Sequence, residues 1–218
     1  GLGDVYKRQG EDGTVQGLCE LAGIPVIGCG TLASALCMDK DRAHKLASLA
    51  GVEVPRSVCF SGLPSQAELE TLTRSLTFPV FVKPVRAGSS FGITKVENPA
   101  NLRAAVRDAL RYDREVIVEE TIAGFEVGCA VMGNAELTTG RADEIEIQGD
   151  LFDYTEKYNL ITSKIHMPAR VDAETERRIQ DTAKSIYRAL GCRGFARVDM
   201  FLEPTGRLVF NEVNTIPG

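Results

Sequence analysis

The sequence predicts an α+β fold. Short runs rich in β-branched and aromatic residues are bounded by turn signals, and several are joined as hairpins. Helical patterns of 3.6-residue period stand between groups of strands and do not alternate strictly with them. The composition is that of an ordinary globular protein, with 218 residues, 44% hydrophobic and 25% charged. That length suffices for one large domain or two small ones. The balance of 25 Lys and Arg against 30 Asp and Glu gives a net charge of −5. No basic footprint for nucleic acid or an anionic membrane surface is present. No apolar run approaches the roughly 20 residues of a membrane span, and the first residues lack the apolar stretch of a signal peptide.

Each element follows from its local pattern. Thr14 to Ala22 reads as a short helix, and Ile24-Pro25-Val26-Ile27 as a short strand. Asp39 to Ala50 is a helix, with Ala43, Leu46, Ala47 and Ala50 on one stripe and Gly51 as its stop. Val52 to Phe60 reads as extended, and Pro64 to Leu76 as a helix. Phe78 to Val82 is a buried strand ending at Lys83-Pro84; after a Gly/Ser loop, Ile93 to Val96 is another. Asn98-Pro99 opens a helix as N-cap and first helical residue. Glu115 to Glu119, Phe125 to Met132 and Glu136 to Ile147 read as strands, the last two around the Gly133-Asn134 turn. Asp150 to Ser163 is irregular, and Asp172 to Leu190 is a helix stopped by Gly191. Phe195 to Leu202 and Arg207 to Val213 form a hairpin around Glu203-Pro204-Thr205-Gly206.

The six cysteines, Cys19, Cys29, Cys37, Cys59, Cys129 and Cys192, contain no C-x-x-C pair. Their scatter argues against a zinc site or a disulfide framework and for buried thiols in a reducing cytoplasm. His44 and His166 are isolated in sequence and read as structural groups.

The terminal hairpin carries the densest chemistry. Period two puts Arg197 and Asp199 on one face of the first strand, and Glu212 and Asn214 on one face of the second. Their neighbours are apolar, and charges in such a sheet need partners or a metal. The oxygens of Asp199, Glu212 and Asn214 suit a hard cation such as Mg²⁺. The alternative is an Arg197–Asp199 salt bridge on a solvated face. Val80-Phe81-Val82-Lys83-Pro84 delivers a lysine that can reach a phosphate or simply snorkel. Arg86-Ala87-Gly88-Ser89-Ser90-Phe91-Gly92 can turn successive N–H groups toward phosphate oxygens, or be a plain turn. It is not a Walker loop. Glu119-Glu120, and Glu126 beyond them, offer acceptors to a ribose or an adenine edge, or form a solvated strand end.

Taken in order, these features resemble the ATP-grasp superfamily and, within it, the D-alanine:D-alanine ligases. The matching stretches include Gly10-Glu11-Asp12-Gly13-Thr14-Val15-Gln16-Gly17, Met38-Asp39-Lys40, Phe81-Val82-Lys83-Pro84, Gly88-Ser89-Ser90-Phe91-Gly92 and Asp153-Tyr154-Thr155-Glu156-Lys157-Tyr158. Gly194-Phe195-Ala196-Arg197-Val198-Asp199 and Asn211-Glu212-Val213-Asn214-Thr215-Ile216-Pro217-Gly218 complete the set. The resemblance implies two α+β subdomains clamping ATP, and a remnant of an N-terminal α/β domain. Residues 1–9 match nothing in the family and read as an artefact. Residues 10–35 would be the remnant, 36–122 the central subdomain and 123–218 an incomplete C-terminal subdomain, so that the chain is cut at both ends. It implies that Lys40 and Lys83 contact ATP, that Ser89 and Ser90 close over its phosphates, and that Glu119, Glu120, Ile122 and Glu126 frame adenine and ribose. Lys157 and Tyr158 would belong to a loop over the second substrate and the γ-phosphate. Arg197, aided by the backbone N–H of Gly218, would stabilise the tetrahedral intermediate. Asp199, Glu212 and Asn214 would hold two Mg²⁺ ions, for which Mn²⁺ can substitute.

The activity implied is ATP-dependent joining of D-alanine to a second D-amino acid through an acyl phosphate, for peptidoglycan precursors. The complete enzyme would be cytoplasmic, with no nucleic-acid or membrane partner, and could be a homodimer; the piece itself is expected to be inactive. The stretch Arg141-Ala142-Asp143-Glu144-Ile145-Glu146, with Gly128-Cys129-Ala130-Val131 and Cys37-Met38-Asp39, is most similar to the D-alanine:D-serine ligases of vancomycin resistance. Another ATP-grasp carboxylate–amine ligase and a non-catalytic ATP-binding module remain the alternatives.

Overall fold

A computed structural model describes residues 8–88, 91–147 and 163–217. The helices α1 (Arg8–Glu11), α2 (Thr14–Leu21), α3 (Thr31–Met38) and α4 (Lys40–Leu49) come first. Then follow β1 (Ser57–Ser61), α5 (Gln66–Leu72), β2 (Val80–Pro84), β3 (Thr94–Val96), α6 (Leu102–Ala109) and β4 (Glu115–Glu120). The rest is β5 (Phe125–Gly133), β6 (Leu137–Thr139), β7 (Asp143–Ile147), β8 (Ser163–His166), α7 (Ala173–Ala189), β9 (Gly194–Leu202) and β10 (Leu208–Asn214). They form two compact units, one of residues 55–122 and one of residues 8–54 with 123–217. The boundary expected at residue 36 is therefore not where the units divide: α3 and α4 pack on β10, and α4 also on α7.

One local expectation gives way, and one helix was not foreseen. Ile24 to Ile27 forms no strand, and Ile24 and Ile27 are exposed; Pro25 offers no N–H, and no ladder in the unit reaches this segment. The helix α3 has no signature in the sequence, because Leu32, Ala33, Ala35, Leu36, Cys37 and Met38 are nearly continuous and show no 3.6 period. The helix α4 is where the pattern puts it. Asp39 caps it by accepting from the Arg42 N–H at 3.0 Å, and Gly51 ends it at φ 81°.

The first unit is a four-stranded antiparallel sheet in the order β1-β4-β2-β3. Val80 and Val82 of β2 and Val116 and Val118 of β4 build a core with Leu69 of α5 and Leu102 and Val106 of α6. The alternate residues Phe81, Lys83, Ile117 and Glu119 take the other face. Ser65 and Glu68 form a reciprocal capping box at α5, and the Asn98 side chain accepts from the Ala100 N–H at the 3-10 turn before α6.

The second unit is a six-stranded antiparallel sheet in the order β10-β9-β5-β7-β8, with β6 on β5. The helix α7 lies over β5 and β9. Ile179, Ala183, Ile186 and Tyr187 pack there with Val127, Cys129, Val198, Met200 and Phe210. Three thiols meet in this core: Cys37 Sγ is 3.7 Å from Cys192 Sγ, and Cys29 donates to the Arg193 carbonyl at 3.5 Å. The Cys29 thiol is pushed up by its hydrogen bond with Cys192 and by burial. All six cysteines are free, and among the described residues no helix is long and apolar enough to cross a membrane.

Between α6 and β4, Asp113 anchors the chain that leaves β2. Its carboxylate accepts from the Arg86 backbone N–H at 2.8 Å and from the Arg86 guanidinium at 2.9 Å. Glu115 shares the same guanidinium at 2.6 Å. Burial alone would raise the Asp113 carboxyl, but the bonds from Arg86 outweigh it and hold the group below the ordinary aspartate range. A depressed carboxyl stabilises the fold above its unfolded pKa, and that stability is lost as pH falls through the folded value. Asp113→Asn is therefore expected to lower the thermal midpoint at pH 7. The gap between parent and variant should close as pH drops below about 4, where an unfolded aspartate protonates. A gap independent of pH between 3 and 7 would show that the charge of Asp113 does not matter.

Candidate functional site

Both sheets turn one face to a helix and keep charges on the other. In the first unit, Phe81 pairs in register with Glu119, and Lys83 with Ile117. Lys83 and Glu119 are thus diagonal neighbours on one face, with Lys83 Nζ 2.5 Å from Glu119 Oε2. The two residues are only 5% and 1% exposed, which removes solvent screening from the pair. The ammonium also lies 5.9 Å from the Phe81 ring centre. Glu120, the next residue, points to the opposite face. Its carboxylate is taken by Arg56, through the backbone N–H at 3.0 Å and Nε at 2.7 Å. The two glutamates are therefore not equivalent, and Arg56 had no signal in the sequence, since it lies 64 residues away, just before the neighbouring strand β1. Ile122 is buried just beyond β4.

In the second unit the hairpin does what period two requires. Glu212 is the register partner of Asp199, and Asn214 of Arg197. Arg197 grips Asp199 with a fork, Nε to Oδ1 and Nη2 to Oδ2, both at 2.8 Å. Asn214 Nδ2 donates to Asp199 Oδ2 at 2.7 Å. Glu126 is buried on β5. Burial raises the Asp199 carboxyl to about 7, opposed by Arg197 and reinforced by the charges of Glu126 and Glu212. Lys40, the first residue of α4, is also buried.

One irregularity makes this face possible. The register shifts by one residue between Phe210 and Glu212, so Asn211 is the extra residue of a β-bulge. Phe210 stays on the core face opposite Met200, while Glu212 turns to the face of Asp199. The bulge is held from α4, where His44 Nε2 donates to the Asn211 carbonyl at 2.8 Å, and by the Phe210 N–H bond to the Glu53 carbonyl at 2.9 Å. The structural reading of His44 is thereby given a purpose that sequence did not reveal.

The donor set suits a hard cation. Two carboxylates and an amide lie on one face, and the raised Asp199 carboxyl marks negative charge that a cation would offset. Among the described residues no group of three or more His, Cys, Asp or Glu side chains is placed to hold a metal ion. Ser89, Ser90, Lys157, Tyr158 and Gly218 lie outside the described residues.

Comparison with known proteins gives the same direction. The family model for the D-ala D-ala ligase C-terminus matches residues 50–218. The vancomycin B-type resistance protein VanB of Enterococcus faecalis is 47% identical over 219 residues, which cover 98% of this chain and 63% of that protein. A D-alanine–D-alanine ligase of Chlorobium luteolum is 45% identical and is covered over 61% of its length. The crystal structure of the VanG D-Ala:D-Ser ligase from Enterococcus faecalis superposes with a TM-score of 0.90 at 65% identity, over 97% of this chain and 62% of that one. The chain thus spans about three-fifths of the length of the relatives it matches.

The buried pair of the first unit is open to direct measurement. Lys83→Met should destabilise that unit by roughly 3–5 kcal/mol, because it leaves the Glu119 carboxylate buried without its cation. The double variant Lys83→Met/Glu119→Leu should recover much of the loss in urea unfolding. Losses that simply add would show that the two groups are not coupled.

Proposed function

Because the chain belongs to the D-alanine–D-alanine ligase family, whose C-terminal model it matches over residues 50–218, we propose that it serves ATP-dependent ligation of D-alanine to a second D-amino acid. D-serine is the acceptor we favour. The observation that carries the activity is the charged face of the second unit, where Arg197, Asp199, Glu212 and Asn214 converge in the order the family requires. The preference for D-serine is supported by the 65% identity to VanG, a D-Ala:D-Ser ligase, and by the stretch from Arg141 to Glu146.

In this reading the carboxylate of D-alanine takes the γ-phosphoryl group of ATP. The amine of the second amino acid then attacks the acyl phosphate and phosphate leaves. Both steps develop negative charge, so positioned cations do most of the work and no side-chain nucleophile is required. Arg197 arrives with its plane fixed by Asp199, so that stabilising a tetrahedral oxyanion needs little reorganisation. Lys40 and Lys83 would contact ATP, with Glu119, Ile122 and Glu126 framing its adenosine; the Glu120 side chain, held by Arg56 on the opposite face, is not part of that frame. Ser89 and Ser90 would close over the phosphates, and Lys157 and Tyr158 over the second substrate; the Gly218 N–H would aid Arg197. Asp199, Glu212 and Asn214 would hold Mg²⁺, in two ions, which when bound neutralises phosphate charge as the phosphoryl group moves. Six free thiols fit a cytoplasmic setting, and the role in peptidoglycan precursor synthesis rests on the ligase reading.

The test is a competition assay. Full-length protein given ATP, D-alanine and equal D-serine should release phosphate and form D-Ala-D-Ser in excess over D-Ala-D-Ala, as read by mass spectrometry. A strong preference for D-alanine would remove the D-serine assignment, and no dipeptide of either kind would remove the ligase. Glu212→Gln should lower kcat by roughly 10²–10³-fold with KM values little changed, the pattern of a group that acts mainly in the transition state.

A further inference from the structure

In the first unit, both ends of the Gly/Ser loop are held by the same stretch of chain. The loop leaves β2 through Val85 and Arg86 and comes back toward β3 through Phe91 and Gly92. On the way out, the Val85 N–H donates to the Glu115 carbonyl at 3.1 Å, and Asp113 and Glu115 grip Arg86. On the way back, Tyr112 takes over. Its ring stacks on Phe91, with centroids 6.5 Å apart and planes 28° from parallel, inside the range of a stabilising aromatic pair. Gly92, at φ 73°, is seated against the same ring. A Cβ there would lie 2.6 Å from Tyr112 Cδ2 and 2.8 Å from Pro84 Cγ, so only glycine allows the approach. The Phe91 N–H donates to the Gly88 carbonyl at 3.3 Å and draws the two ends together.

The needs of the core do not account for this arrangement. Tyr112 and Phe91 are 36% and 40% exposed, and neither belongs to the cluster built by Leu69, Leu102 and Val106 with β2 and β4. Yet Tyr112 is firmly planted. Its N–H donates to the Ala109 carbonyl at 3.0 Å, at the end of a helix whose Leu102, Val106 and Ala109 are fully buried. The ring is therefore a fixed post at the end of α6, and the backbone of the loop is set against it.

Resting on the reading that the Gly/Ser loop meets the phosphates of ATP, we propose that Tyr112 is a positioning residue for that loop. Its ring acts through Phe91 and Gly92 and fixes the end of the loop, as Asp113 fixes the start. A loop ordered in advance loses less conformational freedom when the nucleotide binds. The contribution of the ring is accordingly read in ATP affinity, while the binding of D-alanine does not depend on it.

The test compares Tyr112→Ala, which removes the ring, with Tyr112→Phe, which keeps it. The probe is an ATP analogue with an N-methylanthraniloyl fluorophore on its ribose, titrated with Mg²⁺ into full-length protein. Tyr112→Ala should raise its Kd by roughly 3–10-fold, the worth of one aromatic pair carried through to the ligand. Tyr112→Phe should keep the parent's Kd, and the KM for D-alanine should stay within about twofold in both. A merely structural ring would give Tyr112→Ala a lower thermal midpoint and an unchanged Kd, and that result would overturn the proposal. So would equal weakening in Tyr112→Phe, which would assign the effect to the hydroxyl. The double variant Ser89→Ala/Ser90→Ala checks the premise. Weakened binding there beside a parent-like Tyr112→Ala would overturn the proposal alone. An unchanged Kd in the serine variant would remove the loop's contact with the nucleotide, and the role of Tyr112 with it.

Discussion

The charged face of the second unit depends on one extra residue. Without the bulge at Asn211, Phe210 and Glu212 would share a face, as residues two apart on a regular strand do. Either the phenyl ring would leave the core or the carboxylate would enter it among Val198 and Met200. Burying an unpaired carboxylate costs several kcal/mol, and losing a buried phenyl ring about 3–5 kcal/mol. The bulge avoids both. It frees a backbone carbonyl, and His44 supplies the donor for it. A residue of α4, outside any local pattern of the hairpin, thereby helps fix where Glu212 points.

The same division of labour holds in each sheet. The helix-covered face supplies apolar burial, and the other face carries ion pairs that contribute little or nothing to net stability. Lys83–Glu119 and Arg197–Asp199 are both largely removed from water. Such pairs are costly to desolvate and costly to break, and a well-packed apolar replacement often does as well. Their value here is orientation: a fork with both nitrogens committed cannot rotate, and a lysine locked to a glutamate presents its charge at a fixed point.

What could be read from sequence was local. The cap at Asn98 and the hairpin around Glu203–Gly206 depend on residues a few positions apart, and they stand where the pattern put them. The shared face of Arg197 and Asp199, and that of Glu212 and Asn214, followed from period two alone. What could not be read depends on distant chain. The helix α3 lacks periodicity because its environment, not its pattern, decides its face. Arg56 meets Glu120, and His44 meets Asn211, only after the strands and helices have packed. Residues 36–54 lean on β10 for the same reason, so a boundary drawn from motif order alone falls in a different place from one drawn by packing.

The unequal burial of the thiols has a practical consequence. Cys29, Cys37, Cys129 and Cys192 are sealed in the core of the second unit, and burial pushes the Cys129 thiol up to about 12. Few of the Cys29, Cys129 and Cys192 thiols would be thiolate at neutral pH, and the thiolate is the reacting species. Cys19 and Cys59 are the two that solvent reaches in part. One stands on α2 in the second unit and the other on β1 in the first. Native chemistry thus provides one attachment point per unit for a maleimide dye, so that each unit can carry a spectroscopic probe without altering a single codon.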